Sequence, residues 1–173
     1  RRVLFRSAPR QFLQDDMVAT VRGILERTGL DPQLLQLELT ETALMTDSPG
    51  VLQRMDKLAD IGVSFSLDDF GTGYSSLSYL SQFPIRIIKV DKSFVAGVPQ
   101  DARQAAIVNA VIAMSHQLGI KVVAEGVEAA RQGEFLREAG CDLAQGFYYS
   151  HPLTADACTD ILRAGSVPPP RRR

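Results

Sequence analysis

Ser66–Leu80, SLDDFGTGYSSLSYL, closes an extended apolar run on two adjacent aspartates and opens a glycine-containing loop directly behind them. Val63–Asp68 reads as a strand and the segment near Ser75–Ser81 as a short helix, so the stretch is one strand-loop-helix step. Side chains alternate along a strand, so Asp68 and Asp69 point to opposite faces unless the strand ends or bulges there. Neighbouring carboxylates are costly to hold together unless a cation neutralises them. The pair suits a bridging pair of divalent metals better than a salt bridge. The plain alternative is an Asp-Asp turn before a Gly-rich loop.

The same step recurs on either side. Upstream, Asp15–Thr28 reads as a helix and Leu34–Thr40 as a strand. Pro49–Ile61 follows as a helix, with Asp47 or Ser48 placed to cap it and Pro49 in its first turn. Downstream come strand Arg86–Asp91, helix Asp101–Leu118 closed by Gly119, and strand Lys121–Glu125. Helix Glu128–Ala139, strand Leu143–Tyr149 and helix Thr154–Ala164 complete the series. Alternation at this spacing implies parallel βαβ units. About eight such units, in ~250 residues, close a (β/α)8 barrel; an open doubly wound sheet competes with it.

The polar residues favour the barrel. Gln36, Glu38 and Thr40 share one side of their strand, as do Ser64, Ser66 and Asp68, and Ile87, Lys89 and Asp91. The alternate positions are apolar, which suits a face covered by helices. With Glu125 and Gln145, five successive strands each carry a charged or amide side chain, mostly near the C-terminal end. A barrel places its chemistry at that mouth, whereas an open sheet concentrates it at one switch point. The expected fold is α/β, a TIM-type barrel that is incomplete and lacks its N-terminal strands.

Composition narrows the function. The 173 residues are 45% hydrophobic and 23% charged, ordinary for a soluble domain with a substantial core. A net charge of -1 gives no electrostatic case for binding a nucleic-acid polymer or an anionic membrane. Cys141 and Cys158 have no CxxC spacing and fit a reducing, cytoplasmic setting. No run of 18 apolar residues and no signal-peptide core occurs in the sequence; the expected location is cytoplasmic, with a membrane-anchored parent still open.

Glu38, Asp68, Asp69 and Glu125 form an oxygen-rich set without histidine, which selects Mg2+ or Mn2+ over zinc. Two such ions, ~3.5–4 Å apart in known sites, activate a water and clamp a phosphoryl group. Lys89 adds a positive charge to orient the water or stabilise the developing charge. The inferred reaction class is metal-assisted phosphoester hydrolysis; a structural ion-pair network around Lys89 is the alternative.

Five segments now bear on a family. LELTE (Leu37–Glu41), DDFGTGYSSLSYL (Asp68–Leu80), IKVDKSFV (Ile88–Val95), VVAEGVE (Val122–Glu128) and QGFYYSHPL (Gln145–Leu153) resemble, in order and spacing, the EAL family of bacterial cyclic di-GMP phosphodiesterases. The resemblance runs from about Ser7 to about Leu162. It implies Glu38, Asp68 and Asp69 as metal ligands, with Asp68 bridging, and Lys89 and Glu125 as the pair that positions or deprotonates the attacking water. Glu125 also sits in the metal shell by this likeness, Gln145 steadies the metal-water cluster, and Glu41 anchors the Asp68–Leu80 loop. Asp91 and Tyr74 are candidate substrate contacts. The implied ligand is cyclic di-GMP, the product linear pGpG, and the cofactors two Mg2+ or Mn2+ ions. A homodimer and upstream sensory or diguanylate cyclase domains are the implied partners.

Two of the family's ligands are missing. The Glu-Ala-Leu triplet is not in the chain, and the asparagine of the segment matched by SAPRQF (Ser7–Phe12) falls on Arg6, a cation that cannot ligate a cation. Arg1–Ser7, RRVLFRS, reads as the in-frame translation of a sequencing-adaptor oligonucleotide. The expected organisation is a non-native segment over 1–7, a partial EAL domain over 8–165 and a disordered tail over 166–173. Lacking strands and ligands, the chain by itself is expected to be poorly soluble and inactive although its parent is an enzyme. A non-catalytic EAL domain that binds the dinucleotide or a protein partner is the alternative function. His116 reads as a helix-terminus contact, His151 as a loop residue near the site, and Arg86 as a rim charge.

Overall fold

The computed structural model describes residues 3–6, 12, 16–46, 48–71 and 80–165. Asp47, Tyr74, most of the segment near Ser75–Ser81 and the tail therefore lie outside the described residues. The chain divides into two compact units, Arg1–Lys89 with Gln117–Ile120, and Val90–His116 with Lys121–Arg173.

In the first unit four strands follow one another in chain order: β1 (Val3–Arg6), β2 (Leu35–Thr40), β3 (Ser64–Phe70) and β4 (Ile85–Val90, its last residue counted with the second unit). β1 and β2 are parallel, Val3 opposite Leu35 and Arg6 opposite Glu38. β2 and β3 are parallel, Gln36 opposite Ser64 and Thr40 opposite Asp68. Residues Val3–Arg6, inside the segment expected to be non-native, thus occupy a strand position.

Parallel neighbours need a crossover, and helices supply it. α1 (Met17–Thr28) buries Val21 and Leu25 one turn apart and ends on Gly29, whose φ of 65° lets its N–H reach Leu25 O at 2.9 Å. α2 (Glu41–Thr46), unforeseen, follows β2 directly, and α3 (Ser48–Asp60) starts one residue ahead of the expected Pro49. α3 buries Val51, Met55 and Leu58, an i, i+4, i+7 stripe. Full burial of side chains such as Met55 and Leu58 contributes about 1.5–3 kcal/mol each. On the strands both faces are buried: Leu35, Leu37 and Leu39 pack on one side while Gln36 and Glu38 are enclosed on the other. A polar row enclosed in this way needs partners, and the partners make the site.

The second unit is built on Val90, Val95, Val98, Val108, Ile112, Val122, Ala124, Val127 and Leu136. Its elements are α4 (Lys92–Val95), α5 (Ala102–Gln117, its last residue counted with the first unit), β5 (Lys121–Ala124), α6 (Ala130–Glu138), β6 (Leu143–Ala144) and α7 (Ala155–Ala164). β5 and β6 run parallel, Val123 opposite Leu143. The expected strand Leu143–Tyr149 is corrected here: only two residues pair as a strand, and the chain turns at Gly146. Tyr149 N and Ser150 N both donate to Gly146 O, at 3.0 and 3.2 Å. Gly146 lies so close to the Val127 backbone that no Cβ fits, and Tyr148 N donates back to Val127 O at 2.9 Å. The aromatic residues of FYYS favour strand by propensity, but this close approach overrides them.

Candidate active site

In the first unit, Glu38 on β2, Asp68 on β3 and Lys89 on β4 are all buried. The register sets Glu38 opposite Ser66 and Thr40 opposite Asp68, so the two carboxylates sit one pleat apart on the same face. The Lys89 ammonium closes the gap, 2.9 Å from Glu38 Oε1 and 2.8 Å from Asp68 Oδ1. Both readings of the sequence, metal site and ion-pair network, put these three side chains together.

Asp69 departs from regular strand geometry. Its φ is 55°, the one positive value at a non-glycine position among the described residues. That conformation costs an L-residue about 1–2 kcal/mol, least for Asp and Asn. It breaks the alternation that would send Asp68 and Asp69 to opposite faces, and their carboxylate oxygens lie within 4.8 Å of each other. Strain of this kind concentrates at functional sites.

The donor set fits a hard divalent cation. Glu38, Asp68 and Asp69 offer only oxygen, and with Lys89 the four side chains sum to a formal charge of -2. Glu41 is buried at the start of α2, and its Oε2 has no hydrogen-bond partner among the described residues. Of the loop it is expected to anchor, Asp68–Leu80, residues 72–79 lie outside them.

In the second unit, Glu125 follows β5, and its N–H donates to Val90 O at 3.1 Å. Gln145 follows β6, and its Nε2 donates to Glu125 Oε1 at 2.7 Å, fixing that carboxylate's orientation. Both line a pocket of about 460 Å³ with Lys92, Glu128, Phe147 and His151. His151 stacks on Phe147, ring centroids 4.4 Å apart. Lys92, a cation at this pocket, was not anticipated from the sequence.

Asp91 acts as the N-cap of α4, accepting from Ser93 N at 2.9 Å. Burial pushes its carboxyl up, but the Ser93 hydrogen bonds and the Lys92 charge outweigh that and hold it below the ordinary value. His116 and Asp142 meet at 2.9 Å, and Asp142 also accepts from Val122 N at 2.9 Å. Burial raises the Asp142 carboxyl as well; the Val122 N–H and the His116 ring more than reverse it.

The EAL domain family profile matches residues 1–152, most of the chain. The chain belongs to the EAL domain family. Among curated relatives it is 47% identical over 148 residues to the cyclic di-GMP phosphodiesterase NbdA of Pseudomonas aeruginosa, covering 86% of this chain and 19% of NbdA. It superposes on the crystal structure of the EAL domain of Mycobacterium smegmatis DcpA with a TM-score of 0.91 and 37% identity, covering 96% of this chain and 75% of that one. Against Klebsiella pneumoniae BlrP1 in complex with manganese and cyclic di-GMP the TM-score is 0.81 and the identity 34%, covering 87% of this chain and 39% of that one. The EAL likeness identifies the fold as TIM-barrel type, with six strands among the described residues. The chain spans about a fifth of the length of the first curated relatives it matches. No helix among the described residues is long and apolar enough to cross a membrane.

Proposed function

We propose that this EAL domain hydrolyses cyclic di-GMP to linear pGpG with the help of Mg2+ or Mn2+. The observation that carries the reading is the buried Glu38–Lys89–Asp68 cluster with Asp69 held left-handed beside it. An ion-pair network alone gives no reason for the strain at Asp69; a cation shared by adjacent carboxylates does.

In the first unit, Glu38, Asp68 and Asp69 are the residues that would hold the divalent ions. A bound ion supplies Lewis acidity and lowers the pKa of its water. Lys89, fixed by two carboxylates, presents a cation to the phosphodiester oxygens as negative charge builds there. In the second unit, Glu125 takes the proton of the attacking water while the Gln145 amide keeps its carboxylate aimed. Water's oxygen joins phosphorus, the P–O3′ bond breaks, and the proton ends on the 3′ oxygen. Dimerisation, coupling to sensory or cyclase domains, and substrate contacts at Asp91 and Tyr74 belong to the same proposal.

The test is to incubate cyclic di-GMP with the polypeptide encoded by the source gene, with Mn2+, with Mg2+ and with EDTA, and to separate the nucleotides chromatographically. Linear pGpG should form with either metal and vanish with EDTA. Binding of cyclic di-GMP without metal-dependent product would establish the binding-only alternative instead.

A further inference from the structure

We infer that Gln132 is a positioning residue for Glu125, holding the loop Glu125–Ala129 through one fully used buried amide; this rests on the catalytic role proposed for Glu125. Gln132 is 4% exposed, on the first turn of α6. Its Oε1 accepts from Glu128 N at 2.8 Å and Ala129 N at 2.9 Å. Its Nε2 donates to Val95 O and Ala96 O, each at 3.1 Å. A carboxamide has two N–H donors and an oxygen with two lone pairs, so all four positions are taken.

The local sequence explains why one side chain carries this. Ala129 stands at the N-cap of α6 and offers no side-chain acceptor. Gln132, at the third helical position, reaches back to the N-cap N–H as in half of a capping box and takes the Glu128 N–H as well. Its amide hydrogens meet carbonyls at the end of α4, where no intrahelical donor remains. The loop is already held on its strand side: Glu125 N donates to Val90 O, and Val127 N donates to Gln145 O at 3.0 Å. Gly126 (φ 70°) lies where a Cβ would collide with Lys92 Cβ, so the loop is pressed onto α4. Gln132 supplies the matching restraint on the helix side. Freeing that end lets Glu125 drift, and a small misplacement of a reacting group reduces turnover more than binding.

Two variants in the source-gene polypeptide separate positioning from simple stability. Gln132→Met keeps the length and loses all four bonds; Gln132→Glu keeps both acceptors for the loop and loses the donors toward α4. Hydrogen exchange at the Glu128 and Ala129 amides should accelerate about tenfold or more in Gln132→Met and stay near wild type in Gln132→Glu. With cyclic di-GMP and Mn2+, kcat should fall about tenfold or more in Gln132→Met with KM within about threefold, while Gln132→Glu keeps kcat within about threefold. Both variants should unfold at lower denaturant than wild type. Unchanged exchange in Gln132→Met, or equal loss of kcat in the two variants, overturns the inference. Absence of turnover in the wild type refutes the phosphodiesterase reading, and the exchange measurement still decides whether Gln132 pins the loop.

Discussion

Replacing Lys89 by methionine withdraws a buried ammonium while keeping most of the side-chain volume. Lys89 is 6% exposed, Glu38 7% and Asp68 3%, so the two carboxylates lose their cation where water replaces it poorly. Breaking a buried pair from one side costs about 3–5 kcal/mol. The lower end, about 3 kcal/mol, applies because Glu38 and Asp68 hold further contacts within the protein. At ~2–4 °C per kcal/mol for a chain of this size, the midpoint of thermal unfolding should drop by about 6–12 °C. The formal charge of the cluster falls from -2 to -3, which raises its attraction for a divalent ion. Mn2+ at a hundred times its Kd stabilises by about 2.7 kcal/mol, close to what the lysine contributed. Circular dichroism melts of wild type and Lys89→Met, each with and without Mn2+, read both effects. The reasoning fails if the variant melts within about 2 °C of wild type, or if Mn2+ raises the variant no more than wild type.

Gly146→Ala should destabilise by about 1–3 kcal/mol, because the new methyl overlaps the Val127 backbone; urea titration measures the loss, and a change below the error of the midpoint contradicts the packing argument. For Asp142, whose carboxyl is held below its ordinary value of 3.8, stability is fully present above the unfolded pKa and is lost as pH falls through the lower folded one. The stability gap between wild type and Asp142→Asn should therefore shrink steadily as pH drops below about 4, and a gap that widens there contradicts the assignment.

The alternation of strands and helices was legible because each unit carries a two-fold or 3.6-fold apolar pattern long enough to count. So was the phase of Glu38, Asp68 and Lys89, since alternation in parallel strands puts such residues on one face before any contact is known. What was not legible falls where a local rule is overridden. The two-residue β6 is cut short by the approach of Gly146 to Val127, a tertiary contact that FYYS does not announce. α2 and α4 are only six and four residues long, too short for periodicity to register. Asp91 also carries a readable capping signal, an aspartate two residues before Ser93 at a helix start, and that signal stands beside its place among the candidate substrate contacts. Gln132 was readable in the same way, as a glutamine three residues into a helix that begins on alanine, although its reach to Val95 and Ala96 is visible only in three dimensions.

The left-handed backbone at Asp69 also limits which residues evolution or a library can place there. Glycine, asparagine and aspartate tolerate that conformation most readily. Of the three, only aspartate brings a negative charge. A pool of position-69 variants sorted for folding alone should therefore enrich all three, whereas sorting for turnover should retain aspartate only. The ratio between the two enrichments would express, in allele frequencies, how much of this residue belongs to architecture and how much to chemistry.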